Sequence, residues 1–219
     1  MGSITRSFAN NITTSGVLLP ASLNNNSIAN VTAYNAAIAT GNMVLISSQT
    51  ASDSASISFT TGIDSTYKEY QFWFIDIHPR TDGVNFTFNM STDSGSNYNV
   101  TKTTTAFGTY HPESDSTTVL EYDGGRDLAQ STAFQPLTAG GGFGNGADEN
   151  LGGSMQLFNP ASTTYVKHFI ARTSFYHDTS ASNDAFLAGY GNTTSAVNAI
   201  QFKMSSGNID GTILMYGIV

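Results

Sequence analysis

Four acidic side chains lie close together between positions 113 and 123 of this chain: Glu113, Asp115, Glu121 and Asp123. Glycoside hydrolysis uses two carboxyl groups at a fixed separation as its catalytic groups. The chain has 16 Asp and Glu residues, so some such pair always occurs, and this cluster falls in a loop-like segment. No G-x-S-x-G motif, the signature of a serine nucleophile, is present. Solvated loop charges therefore explain the cluster better than catalysis, and we expect no enzyme activity and no catalytic residues.

Two further patterns bear on metal binding. Asp76 and His78 share one face of a predicted strand, because side chains alternate along a strand, but no third ligand follows at the spacing of a metal site. The segment 93–97, Asp-Ser-Gly-Ser-Asn, is similar to the start of a calcium loop and lacks the later bidentate Glu. A histidine at a strand end and a tight turn are the simpler interpretations. We predict no metal and no cofactor.

The segment 138–153, TAGGGFGNGADENLGG, is the most irregular part of the chain. It is rich in glycine, but no Lys follows as in a phosphate-binding loop, and the acidic residues after the glycines oppose a phosphate. Long loops in compact domains are functional or mobile. One interpretation is therefore an exposed tip whose contacts are Phe143, Asn145 and Asp148, and the other is a plain flexible loop.

Composition excludes several classes of protein. Charged residues make up 11% of the chain, the net charge is −8, and the eight Lys and Arg residues are scattered singly. Without a basic patch, binding to nucleic acid or to an anionic membrane is not expected. The absence of cysteine excludes disulfides and thiolate sites. No signal peptide or membrane-spanning run is visible in the sequence, so we expect a protein made in a cytoplasm.

The elements that position these residues are strands. In the segment 69–91 an apolar run is followed by a turn and then by strict alternation from Val84 to Met90, a period typical of a half-buried strand. We expect this hairpin to form the core, through Phe72, Trp73, Phe74, Phe86 and Phe88. About ten such strands at short spacing predict an all-β fold, a two-sheet β-sandwich of jelly-roll type. The apolar terminal strand 212–219 should lie inside a sheet, because an exposed apolar edge aggregates.

The first 41 residues differ from the rest and predict a separate N-terminal arm before a β-sandwich domain at 42–219. The arm is expected to be extended or partly helical. Its spaced apolar residues require a partner surface to be buried: Ile4, Phe8, Ile12, Val17 and Leu18. An assembly arm that attaches to a neighbouring subunit is one interpretation, and a flexible terminus is the other.

Several phrases together resemble a known family: SITRSFAN, LISSQTASDSASISFTTGIDSTYKEYQFWFIDIHP, STDSGSNYNVTKTT, LFNPASTTYVKHF and IQFKMSSGNIDGTILMYGI. They are similar to virion structural proteins of tailed bacteriophages, especially marine ones, which are tail-fibre-like or associated with the capsid. The likeness covers nearly the whole chain and consists of strand and turn phrases without catalytic motifs. It implies a place in the virion and leaves the position open.

The resemblance implies a non-enzymatic structural protein on the virion surface, a capsid decoration or a fibre component, attached through its arm and assembled in the host cytoplasm. The partners would be copies of itself, in a homotrimer, and other virion proteins. The alternatives are a tail-fibre or tip module that binds host surface glycan and a polysaccharide depolymerase. A free carbohydrate-binding module would need exposed aromatic side chains, for which Tyr110, Phe143 and Tyr176 are the candidates.

Overall fold

The computed structural model describes residues 42–219. The predictions for the N-terminal arm, including Ile4, Phe8, Ile12, Val17 and Leu18, lie outside the described residues. Within 42–219 the regular secondary structure consists only of β-strands, and the strands form one compact unit. The all-β prediction is therefore confirmed for this part of the chain.

The described residues form twelve strands. Their bounds are β1 (Met43–Ser54), β2 (Ile57–Phe59), β3 (Glu69–Pro79), β4 (Phe86–Ser91), β5 (Lys102–Pro112), β6 (Val119–Tyr122), β7 (Gln135–Pro136), β8 (Leu151–Phe158), β9 (Lys167–His177), β10 (Ala181–Gly191), β11 (Ala199–Met204) and β12 (Ile209–Ile218). Strand β6 falls in the segment 113–123 that the sequence predicted as loop. The short β7 has only two residues.

The strands build two antiparallel sheets. The large sheet has eight strands in the order β1-β12-β3-β8-β9-β10-β5-β6, and the small sheet has four in the order β2-β11-β4-β7. The two sheets are consistent with the predicted β-sandwich. Strand β12 lies between β1 and β3, so the prediction that the apolar terminal strand is an interior one is confirmed.

The core lies between the sheets and is centred on Phe202 of β11. Its ring lies 5.4 Å from that of Phe72, 5.3 Å from Phe74 and 5.9 Å from Phe86, measured between centroids. Phe88 packs edge-on against Phe169 at 4.9 Å. Burying one such ring contributes about 1.5–3 kcal/mol. The aromatic cluster is therefore the main apolar contact between the large and the small sheet.

The predicted core hairpin is correct except for its tryptophan. Phe72, Phe74, Phe86 and Phe88 are buried, whereas Trp73 is 42% exposed. The assignment of Trp73 to the core is wrong because successive side chains of a strand point to opposite faces. Phe72 and Phe74 take the inner face of β3, so Trp73 lies on the outer face of the large sheet.

Strand β4 is buried on both faces, although its alternation indicated a half-buried strand. Its polar face carries Thr87 and Asn89, both buried. The side-chain amide of Asn89 donates to the carbonyls of Tyr98 (2.7 Å) and Thr132 (2.9 Å). Irregular chain covers this side of the small sheet, and a buried amide is tolerated because its hydrogen bonds are made.

Candidate functional site

The most unusual surface of the described residues is the outer face of the large sheet. The strand registers place one residue of each strand in a single row across it. In order this aromatic row is Tyr122, Phe107, Phe186, Arg172, Ser154, Trp73, Leu214 and Ser48. Half of its members are aromatic, which is unusual on the solvent side of a sheet, where polar residues normally alternate with buried ones.

The neighbouring positions extend the apolar character of this outer face. The exposed large apolar side chains in residues 42–219, apart from Tyr165 and Val219, all belong to strand positions that face outward with the aromatic row. They are Met43, Leu45, Trp73, Ile75, Phe107, Leu120, Tyr122 and Ile170. Contiguous apolar surface of this kind marks an interaction site more often than scattered apolar residues do.

The aromatic rings of the row have a defined packing. The rings of Phe107 and Phe186 are parallel to within 1°, with centroids 4.8 Å apart. The Arg172 guanidinium lies 4.8 Å from the Phe186 centroid, on the side of β9. Both faces of the Phe186 ring are thus covered, and the ring presents its edge to solvent. Such edges form ridges that side chains of a partner can pack between.

Charge is nearly absent from this surface. In the aromatic row and the rows beside it, the charged side chains are Arg172 and Asp184, which pair with each other through Nε and Nη2 at 3.1 Å and 2.6 Å. This contact holds the pKa of Arg172 above its ordinary value. Because the whole chain carries a net charge of −8, the outer face is a neutral area on an acidic protein.

One end of the body, at the loops near 110–119 and 177–181, has two polar clefts. A cleft of about 270 Å³ is lined by Tyr110, Glu121, Asp123 and His177 among others. A second cleft, of about 410 Å³, contains His111, Glu113, Asp148, Asn150, Ser174, Tyr176 and Ser182. Pockets that hold small ligands have volumes of roughly 300–1,000 Å³, so the second cleft falls within that range.

The acidic cluster predicted from sequence does not converge on one cleft: Glu113 lines the larger cleft, Glu121 and Asp123 line the smaller one, and Asp115 lines neither. Glu113 accepts a hydrogen bond from the Tyr176 hydroxyl (2.8 Å), which raises the pKa of Tyr176. Asp115 contacts His111 at 3.0 Å. Asp123 lies in the other cleft and accepts from the Gly140 amide at 2.7 Å. Glu113, Asp115 and Asp123 therefore have local partners, whereas Glu121 lies in strand β6 and not in a loop.

The glycine-rich segment is not an exposed tip. Phe143 is fully buried, its amide donates to the Val84 carbonyl (2.8 Å), and its ring packs 5.8 Å from that of Phe175. The prediction of Phe143 as a surface contact is wrong. Gly142 has no room for a Cβ, which would lie 2.6 Å from the Gly83 backbone, so glycine allows this segment to enter the body.

The rest of that predicted loop is at the surface. Asn145 and Asp148 are exposed. The Asn145 amide donates to an Asp82 carboxylate oxygen at 3.2 Å, which fixes the loop next to the β3–β4 turn. Asp148 lines the larger cleft. Of the three candidate contacts, only Asn145 and Asp148 are available to a ligand.

The possible metal ligands are separated. His78 contacts Asp210 at 3.8 Å and the Gly146 carbonyl at 3.1 Å, whereas Asp76 accepts from the Asn150 side chain. Asp93 accepts from Ser91 and Asn97, and these bonds lower its pKa to about 2. The segment 93–97 is thus a turn closed by its own side chains. Between 42 and 219, no three His, Asp or Glu residues form a group able to hold a metal.

Two buried lysines were not anticipated from sequence. Lys102 and Lys167 are fully buried. Lys102 of β5 and Lys167 of β9 lie opposite Gly191 of β10, one on each side of that strand. Lys102 donates to the Asn89 side chain (2.6 Å) and the Val100 carbonyl (2.8 Å), and burial lowers its pKa to about 7. Lys167 donates to the Tyr165 and Thr193 carbonyls, and burial lowers its pKa as well.

Comparisons with known proteins give no relative on which a function can rest: no family model, no curated protein and no solved structure matches the chain. In the described part of the chain, no helix is long and apolar enough to cross a membrane.

Proposed function

We propose that the protein is a non-enzymatic structural component of the surface of a tailed-phage virion, a capsid decoration or a fibre component. The observation that supports it most is the apolar and nearly uncharged outer face of the large sheet. A monomeric protein rarely leaves so much contiguous apolar surface in water, whereas a subunit of an assembly covers it. The likeness of its strand and turn phrases to virion structural proteins supplies the location.

In this proposal the N-terminal arm ties the body to a neighbouring virion protein by burying Ile4, Phe8, Ile12, Val17 and Leu18, and the body forms a homotrimer. The jelly-roll type is also proposed. It is supported by the way consecutive strands cross from one sheet to the other, as β3 to β4 to β5 and β10 to β11 to β12 do.

The proposal is tested on purified virions by mass spectrometry with copy counting. Many copies per particle are expected for a capsid decoration, and a few for a fibre. Absence from the particle would overturn the structural role. Deleting residues 1–20 should leave a folded body and abolish incorporation, because the apolar residues of the arm are then missing. Unchanged incorporation would contradict the role of the arm.

A second candidate function, binding of host surface glycan, is supported by the larger cleft. There Tyr176 is surrounded by hydroxyl, amide and carboxylate groups of Glu113, Asp148, Asn150 and Ser174, a combination suited to sugar hydroxyls. We expect Tyr176→Ala to abolish binding of the protein to host polysaccharide. Tyr165→Ala removes an exposed tyrosine that does not line the clefts and serves as the control. Release of reducing sugar from that polysaccharide would instead indicate a depolymerase.

A further inference from the structure

The outer face of the large sheet is divided into two apolar patches. The Phe107 patch comprises Leu120, Tyr122, Phe107, Phe186 and Ile170, on β6, β5, β10 and β9. The Trp73 patch comprises Trp73, Ile75, Leu214, Leu45 and Met43, on β3, β12 and β1. Between them runs a polar band of Arg172, Asp184, Ser174, Ser154 and Gln156. One face therefore presents two separate surfaces of the same character.

The two patches differ in shape. The Phe107 patch contains a groove of about 320 Å³, lined by Thr105, Phe107, Ile170, Phe186 and Ala188 and by Arg172 of the polar band. The Trp73 patch instead exposes a large aromatic side chain, since Trp73 is 42% exposed. An aromatic anchor that fills an apolar groove is the usual centre of a protein interface.

We propose that copies of this chain associate through this face, with the Trp73 patch of one copy packed on the Phe107 patch of the next. This inference rests on the proposed function only in assuming that the protein assembles with itself. It names the surface and the side chains of that contact.

Charge favours a second copy as the occupant. Two chains of net charge −8 repel each other, so contact between copies is least opposed where their surfaces are neutral. The outer face is such a surface, because Arg172 and Asp184 neutralise each other. A basic partner would gain nothing from this area, since it offers no unpaired acidic side chain in the aromatic row or beside it.

The packing of the rings disfavours a glycan at the same place. Sugar rings stack on open aromatic faces, and Phe186 has neither face open, because Phe107 covers one and Arg172 the other. At Phe186 the row instead offers a ring edge beside a groove, which apolar side chains fill. The glycan candidate therefore belongs to the polar cleft at Tyr176, not to this face.

The size of the face suits a stable contact. Strand spacing of ~4.8 Å and a rise of ~3.4 Å per residue give the area of the aromatic row and its neighbouring rows as roughly 700 Å². One contact uses one patch of each copy, about half of this area, whereas a closed ring buries both patches of every copy, close to the ~800 Å² per partner of a standard specific interface. A contact between two different patches is heterologous, and three such contacts close a ring when the rotation per copy allows it.

The test uses the full chain and measures its mass in solution by light scattering over a range of concentrations. Trp73→Ser removes the exposed indole of the Trp73 patch. Ile170→Ser removes one wall of the groove in the Phe107 patch. Both residues are exposed in the described body, so circular dichroism should be unchanged. We expect each variant to raise the dissociation constant of the oligomer at least tenfold. Tyr165→Ser, which removes an exposed aromatic away from this face, should leave it unchanged.

Mixing the two variants gives a sharper result. A Trp73→Ser copy retains its groove and an Ile170→Ser copy retains its tryptophan, so the mixture should form a heterodimer that neither variant forms alone. No heterodimer, or variants with the oligomeric mass of the wild type, would overturn the inference. A wild-type chain that is monomeric at every concentration overturns it too, while copy counting in virions tests the proposed function independently.

Discussion

The two faces of the large sheet contain the same kinds of residue in different situations. On β3, Phe72 and Phe74 face inward and are buried by the small sheet, whereas Trp73 and Ile75 face outward and are each 42% exposed. On the inner face the rings meet at centroid distances near 5.4 Å with Phe202. On the outer face no layer of the described chain covers them. The inner face therefore has its partner in the small sheet, whereas the outer face has none among the described residues.

The largest expected difference between the faces is in stability. Phe202→Ala should lower the free energy of unfolding by about 3–5 kcal/mol, because it leaves a cavity among five packed rings. Phe107→Ala on the outer face should cost below about 1 kcal/mol, because its side chain is already 44% exposed. Urea denaturation of dilute protein measures both. Equal losses would contradict the distinction between a structural face and an unpartnered one.

The buried lysines make the stability of the folded body depend on pH. The folded-state pKa of Lys102, about 7, lies below the ordinary value of 10.5, so between these values the unfolded chain binds more protons. Stability should therefore rise as the pH increases from 7 to 9, by up to about 1.4 kcal/mol per unit. Lys102→Met should flatten this slope in urea titrations at each pH.

Lys167, whose pKa is lowered by burial in the same direction, should leave part of the slope in the Lys102→Met variant. Lys203→Met, which removes a lysine that lies over the Phe134 ring, is the matched control and should retain the full slope. A stability that falls between pH 7 and 9 in the wild type would show that Lys102 is not held uncharged by burial.

The smallest expected effect concerns the polar band of the outer face. Arg172→Ala removes the cation–π contact with Phe186 and the ion pair with Asp184, and should lower monomer stability only slightly, because the guanidinium is exposed to solvent. Arg172→Lys keeps the charge but not the two donors of the guanidinium. Its stability should lie between those of the wild type and Arg172→Ala. A loss in dilute protein as large as that of Phe202→Ala would mean that the band supports the fold itself.

Sequence reasoning predicts the strands of this protein better than its surface. The alternation at 200–204 and the apolar segment 69–79 are visible locally, because they depend on spacing within one strand. The sequence does not show which aromatic residues become neighbours. Phe107 and Phe186 stack only because β5 and β10 pair in one register. The aromatic row results from seven such strand pairings, and no local sequence pattern predicts it.

The same limit explains the two errors in the candidate residues. Trp73 was assigned to the core because its neighbours are apolar, but alternation places it opposite Phe72 and Phe74. Phe143 was assigned to a surface tip because glycines surround it, but those glycines let the backbone approach Gly83 and His177 and carry the ring inward. Composition identifies a residue that needs a partner, and only the fold shows which face provides it.

The most direct test of the outer face as an interface between copies is the fluorescence of Trp73, the single tryptophan of the chain. In dilute protein its emission should be that of a partly exposed indole that acrylamide quenches readily. As the concentration rises through the range in which the mass increases, the emission should shift to the blue and the quenching should fall, because Trp73 enters the groove of the next copy. An increase in mass with unchanged emission and quenching would show that copies meet through another surface.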